Sequence, residues 1–297
     1  MATQSWSEVL SCSSDANFRA WGLALSNALT NLGIPKSADT GQVNWATVTA
    51  PSGSYPGFEI RYLNDSLHST YPIYIKIEYG SSSTNTRPGL RFSFSRATDG
   101  AGGLVGTYPI PVTAGDFSTS NSGATQAWVA SSCDASGFVI PAPDYQEMFW
   151  MVERSRDSSG NITPQGFSFL RRSISSIGGV NPVSHWTHNF QNNVMYAMVS
   201  PQVYYPTALH TGSTSLFDGS NVYLAPLYGW GAPDGLWYHK GVLGYAQADF
   251  SLYSTFSASR FGVSRTWKAM GNRGFGAHYM STSTTADSYA CLAIWWE

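Results

Sequence analysis

Three runs between residues 58 and 96 alternate their side chains with a period of two. They are Phe58-Glu59-Ile60-Arg61-Tyr62-Leu63, Ile73-Tyr74-Ile75-Lys76-Ile77-Glu78-Tyr79 and Leu90-Arg91-Phe92-Ser93-Phe94-Ser95-Arg96. In each, one set of alternate positions is Ile, Phe or Tyr, and the other carries much of the local charge. Successive side chains of a strand point to opposite faces of a sheet, so this period reads as half-buried strand. Three such runs with short polar connections predict an antiparallel meander.

One helix is expected upstream of the meander. Ser14 or Asp15 can cap it, and Phe18, Trp21, Leu25, Leu29 and Leu32 recur at helical spacing to make one apolar stripe. Gly33 can take the left-handed conformation that closes a helix, and Pro35 blocks continuation. The stripe reads first as a helix packed on the sheet and second as a partner-binding helix.

Other strands are expected at 43–49, 126–130, 193–199, 221–228, 236–245, 256–264, 265–270, 277–281 and 288–296. A hairpin is expected from 145–153 and 167–172 across Asp157-Ser158-Ser159-Gly160-Asn161. Residues 98–124 are rich in Gly, Ser, Thr and Pro and read as loops or short edge strands. The fold class is therefore mainly β: antiparallel sandwich or jelly-roll-like units with one N-terminal amphipathic helix on a sheet. Residues 1–175 form an expected helix-plus-meander domain and 176–297 a β-rich second domain; the boundary is soft, and one continuous unit is the alternative.

Composition narrows the partners. Charged residues are 11% of the 297, against about 25% in an ordinary soluble domain. Aromatics at 14% supply ample surface to bury, so the chain is not disordered. Aromatic-rich, charge-poor surfaces are typical of contacts with other chains. The net charge of −2 gives no reason to expect nucleic acid. The N-terminus, Met1 to Trp6, lacks the blocks of a signal peptide, and the uncharged stretches are too polar to span a bilayer, so membrane insertion is not expected. Cys12, Cys133 and Cys291 do not make a disulfide framework and fit a reducing compartment, with a single bridge left open.

Four stretches bear on chemistry. Asp157 to Asn161 lacks the alternating acids and closing Glu of a calcium loop and reads as a hairpin turn. His185 and His188 have a spacing that metal sites use, but no acid or Cys cluster adjoins them, so they read as loop histidines. Glu153, Arg154, Arg156 and Asp157 concentrate charge; the choice is between cross-strand pairing at the solvated end of the hairpin and an intersubunit salt bridge. Trp230, Asp234, Trp237 and Tyr238 lie among glycines and can form a glycan platform with Asp234 as acceptor, or a tight turn whose rings pack into core or interface. No catalytic, metal or cofactor motif stands out. Glycoside hydrolysis needs two carboxylates about 5–10 Å apart, and nothing in the spacing of the 18 acids selects a pair.

Several segments resemble a group of tailed-bacteriophage virion proteins encoded among tail genes. At the front they are Phe18-Arg19-Ala20-Trp21-Gly22, the stretch from Ala38 to Trp45, Gly57-Phe58-Glu59-Ile60, Leu63-Asn64-Asp65-Ser66-Leu67 and the stretch from Pro72 to Tyr79. Val152-Glu153-Arg154-Ser155-Arg156-Asp157 stands in the middle. Tyr223-Leu224-Ala225-Pro226-Leu227, Gly241-Val242-Leu243-Gly244-Tyr245 and the stretch from Phe261 to Met270 come late. The resemblance implies a non-enzymatic structural role in the particle, at the tail, baseplate or adhesion apparatus, after synthesis in the host cytoplasm. It implies other virion proteins as partners and a homo-oligomer, with three- or six-fold symmetry suggested by the phage setting. It supplies no catalytic residues. A receptor-binding module for host surface glycan is the alternative reading, and a polysaccharide-depolymerising hydrolase the second.

Overall fold

A computed structural model describes residues 5–10, 12–81, 88–105, 125–131, 137–142, 148–157, 159–172, 184–191, 194–198, 202–204, 223–231, 235–246, 255–260, 263–269 and 290–296. Side chains are described over 12–81 and 89–105, and at positions within 137–164, 255–268 and 295–296; elsewhere the description is of backbone.

The chain opens with β1 (Ser5–Leu10) and α1 (Asp15–Asn31), followed by β2 (Gly57–Tyr62), β3 (Tyr74–Ser81) and β4 (Pro88–Ser95). A short pair, β5 (Ala97–Thr98) and β6 (Leu104–Val105), comes next. Then run β7 (Thr125–Ser131), β8 (Gly137–Ala142), β9 (Met148–Arg156), β10 (Ile162–Arg172), β11 (Ser184–Gln191) and β12 (Val194–Met198). The last group is β13 (Gln202–Tyr204), β14 (Tyr223–Gly231), β15 (Gly235–Ala246), β16 (Thr255–Arg260), β17 (Val263–Ala269) and β18 (Ala290–Trp295). Among the described residues the chain is mainly β, its sheets are antiparallel, and one helix stands near the N-terminus, as the alternation and the apolar stripe predict.

The pairing makes a seven-stranded sheet in the order β1-β7-β8-β9-β10-β11-β12 and a six-stranded sheet in the order β13-β14-β15-β18-β17-β16. The meander is a separate three-stranded sheet, β2-β3-β4. Since β10 pairs with β11, the seven-stranded sheet continues past residue 176, and the change of sheet falls between β12 and β13. The N-terminal strand β1, which the sequence reading did not anticipate, forms one edge of that sheet against β7. Of the expected strands, 277–281 lies outside the described residues.

Helix α1 begins as its sequence dictates. The Ser14 side chain accepts from the Asn17 N–H, satisfying one of the amides that a helix start leaves open. At the other end Gly33 has φ 82°, its N–H reaches the Thr30 carbonyl and the Ile34 N–H reaches the Leu29 carbonyl. That is a complete Schellman closure, and Leu29 and Ile34 are both buried beneath it. Phe18, Trp21, Leu25 and Leu29 join Ile75, Ile77, Tyr79, Leu90, Phe92 and Phe94 in one core, which extends to Val152 of β9.

The register corrects two expectations. Glu59 lies opposite Ile77 and Arg61 opposite Ile75, so the charged positions of β2 share a face with the apolar positions of β3 and β4. Both are fully buried. Their partners include Ser26 and Thr30 of α1, and a strand that has polar helix groups above it need not turn its charges to water. Residues 43–49 form a turn, not a strand. The Asn44 side chain accepts from the Ala46 N–H, and the Thr47 and Val48 N–H groups reach the Asn44 carbonyl. Asn side chains compete in this way with a sheet ladder. The turn drives Trp45 into the core against Gly22, where any Cβ would collide with the indole.

Candidate functional site

Two charged clusters stand out among the described residues, one within the meander and one at the loop between β2 and β3. In the first, Glu59 and Arg61 are two apart on β2, hence on one face. Glu59 Oε1 accepts from Ser26 Oγ at 2.7 Å and Trp45 Nε1 at 3.0 Å, and Lys36 Nζ stands 2.6 Å away. Glu59 Oε2 accepts from Arg61 Nε at 2.9 Å and Tyr79 Oη at 3.0 Å. Arg61 also donates to the Ser26 and Ile34 carbonyls, each at 2.7 Å, and to Thr30 Oγ1 at 3.1 Å. Burial pushes the Glu59 carboxyl upward, but Arg61, Lys36 and Ser26 together hold it below the ordinary carboxylate range. Burial and the Glu59 charge push the Tyr79 phenol well above its ordinary range. An ionised carboxylate has about four acceptor sites, and here they are filled by donors of this chain. The arrangement binds helix to sheet; it leaves no lone pair facing a substrate.

The second cluster joins the meander to the hairpin β9–β10. Arg154 Nε donates to Asp65 Oδ2 in the β2–β3 loop, and both side chains are almost wholly buried. Arg154 also donates to the Tyr71 carbonyl at 2.6 Å and the Pro164 carbonyl at 3.4 Å. Arg96, just after β4, reaches the same two carbonyls, at 3.2 and 3.1 Å, and that of Pro72 at 3.0 Å. Burial and the nearby Arg154 push the Arg96 guanidinium down to about 10, so it stays charged at neutral pH. Arg156 Nε stands 3.7 Å from Glu153 Oε1. Of the four residues singled out here, Glu153 and Arg154 are buried, so this part of the hairpin is not its solvated end. Arg154 finds its carboxylate within the same chain.

Asp157 is exposed in the turn. Its carboxylate accepts from the Ser159 and Asn161 N–H groups, each at 2.9 Å, and from the Asn161 side chain at 3.2 Å. These bonds hold it below the ordinary carboxylate range and make it the turn residue that the sequence suggests. Gly160 supplies the positive φ of 82°.

The aromatic loop is a hairpin of β14 and β15, closed where Gly231 pairs with Gly235. Asp234 lies outside the described residues. Trp230 pairs with Leu236 and Tyr228 with Tyr238, so positions 228, 230 and 238 share one face. Position 237 pairs with Gly229 and belongs to the other face. His185 and His188 lie on β11, not in a loop, and an odd separation assigns their positions to opposite faces. Among the described residues no group of three or more His, Cys, Asp or Glu is placed to hold a metal ion, and no helix is long and apolar enough to cross a membrane.

Sequence reasoning did not single out Ser26, Thr30, Lys36 and Trp45 as partners of Glu59 and Arg61. Ser26 carried a signal, a polar residue inside an otherwise apolar stripe. Trp45 carried none, because its role depends on a chain reversal that brings distant segments together. The chain matches no protein-family model, and neither a curated protein nor a solved structure was found to be similar to it.

Proposed function

We propose that the chain is a non-enzymatic structural component of a tailed-phage virion, at the tail, baseplate or adhesion apparatus, where copies and neighbours dock through aromatic-rich β surfaces. One observation supports this reading above the others. The segments that carry the resemblance build interior and joints: Phe18, Trp21, Ile60 and Tyr79 are buried, Trp45 and Glu59 bond each other, and Asp65 meets Arg154. Residues used in this way specify a scaffold, and their polar groups are turned toward one another. The test is to find the chain in purified particles by mass spectrometry and in a density map of the whole virion. Stoichiometric copies in contact with tail components are expected. Absence from particles, together with a free monomer that degrades polysaccharide, would overturn the reading.

Glycan binding is retained as a second reading because positions 228, 230 and 238, all aromatic, share one face of the β14–β15 hairpin. A glycan array tests it with Trp230→Ala as control. Binding that depends on Trp230 is the expected result; no binding, or binding that the variant leaves unchanged, would remove this reading.

A further inference from the structure

The β2–β3 loop supplies Arg154 with two acceptors, Asp65 and the Tyr71 carbonyl, and His68 lies midway between them. Its ring stacks on Tyr62 at 4.3 Å and meets Tyr74 edge-on at 5.6 Å. The backbone beneath is tight: the His68 N–H reaches the Asp65 carbonyl at 3.1 Å, and the Tyr71 N–H reaches that of Leu67 at 2.7 Å. Nδ1 is shut off from solvent and has no hydrogen-bond partner. Neutral imidazole fits this setting, because Nδ1 then carries only an unused lone pair. Imidazolium does not, because Nδ1 then carries a buried proton with no acceptor.

The charges around the ring divide. Asp65 on the same loop favours the cation, and so does the face of Tyr62 on β2; Tyr74 on β3 offers its ring at an angle. Arg154 from β9 opposes it, and Arg96 adds a second guanidinium at the Tyr71 carbonyl. Burial opposes it most, and the balance holds His68 below its ordinary 6.5.

We propose that His68 is a proton-operated release for the joint between the meander and the β9–β10 hairpin. Protonated at Nδ1, it finds no acceptor in place, and the loop from 63 to 73 rearranges and lets go of Arg154. The loop then moves without unfolding α1 and the meander, whose own ion network lies on the other face of β2. The sign follows from linkage. A histidine depressed in the folded state favours the closed joint above its ordinary value, and that preference fades as pH falls through the window below it. This inference concerns the joint alone and does not depend on the virion reading.

The experiment is an NMR titration of the whole chain, following the His68 ring and the amides of 63–73. In the wild type the loop amides are expected to shift with the midpoint of the His68 ring, and that midpoint to lie below that of a free imidazole. Reciprocity requires that Arg154→Met raise the His68 midpoint, since the variant removes a charge that opposes protonation. His68→Gln should leave the loop amides insensitive to pH over the same window. A His68 midpoint unmoved by Arg154→Met would overturn the proposal. So would loop amides that follow pH equally in His68→Gln. Should either variant fail to fold, the wild type alone decides: loop amides that stay still while the ring titrates contradict it.

Discussion

Arg61 and Arg154 are both fully buried and both face a carboxylate, but they are held in different ways. Arg61 sits in a closed set in which Glu59 collects donors from α1, the turn at Trp45, Lys36 and β3. Every partner belongs to the helix, the meander or the segment between them. Arg154 comes from a different sheet, and apart from Asp65 it leans on backbone carbonyls of the β2–β3 loop and of β10. The first arginine makes a layer, and the second attaches that layer to its neighbour. Buried charge thus serves two purposes here, and only the second can be interrupted without loss of the fold around it.

The largest effect is expected at Glu59. Glu59→Gln leaves Arg61 buried without its counter-charge, and breaking such a pair costs about 3–5 kcal/mol. Chemical denaturation of the variant should show it, with loss of the α1 signal in circular dichroism. A cost below about 1 kcal/mol, the level of an exposed pair, would mean that water reaches Arg61. The same residue sets an acid limit. Its folded carboxyl lies below the ordinary range, so its contribution is present above the unfolded value of about 4 and is lost as pH falls through the lower folded value. Glu59→Gln should flatten that part of the melting-temperature profile.

Gly22→Ala comes next. The added Cβ collides with the Trp45 indole, and overpacking of this kind costs about 1–3 kcal/mol. It should also disturb the Trp45–Glu59 bond, so fluorescence of Trp45 is the sharper readout. Ser14→Ala removes the cap of α1 and should cost about 1 kcal/mol with no change at the joint. The smallest effect concerns Cys12, whose thiol burial pushes up to about 12. A thiol reagent at neutral pH should leave it unmodified until the chain unfolds.

The sequence shows these parts unequally. The period of two placed β2, β3 and β4, and Ser14, the apolar stripe and Gly33 placed both ends of α1. These signals are local, and local physics produced the structure. The alternation did not show which face of β2 is interior, because that depends on the register of Glu59 with Ile77 and on a helix that brings Ser26 and Thr30 over it. Asn44 turned an expected strand into the reversal that delivers Trp45. The charge at Glu153 to Asp157 was visible, but not the burial of Glu153 and Arg154, because Asp65 is remote in sequence from Arg154. The sheet pairing across residue 176 was likewise invisible, since strand partners are chosen by the whole fold.

The most direct test of the contrast between the two arginines is hydrogen exchange on Arg154→Met. Protection is expected to fall in the loop from 63 to 73 and in the β9–β10 hairpin, while α1 and the amides of β3 keep their wild-type protection. Loss of protection throughout α1 and β3, at the same rate as in the loop, would show that Arg154 holds the layer together and does not merely attach it.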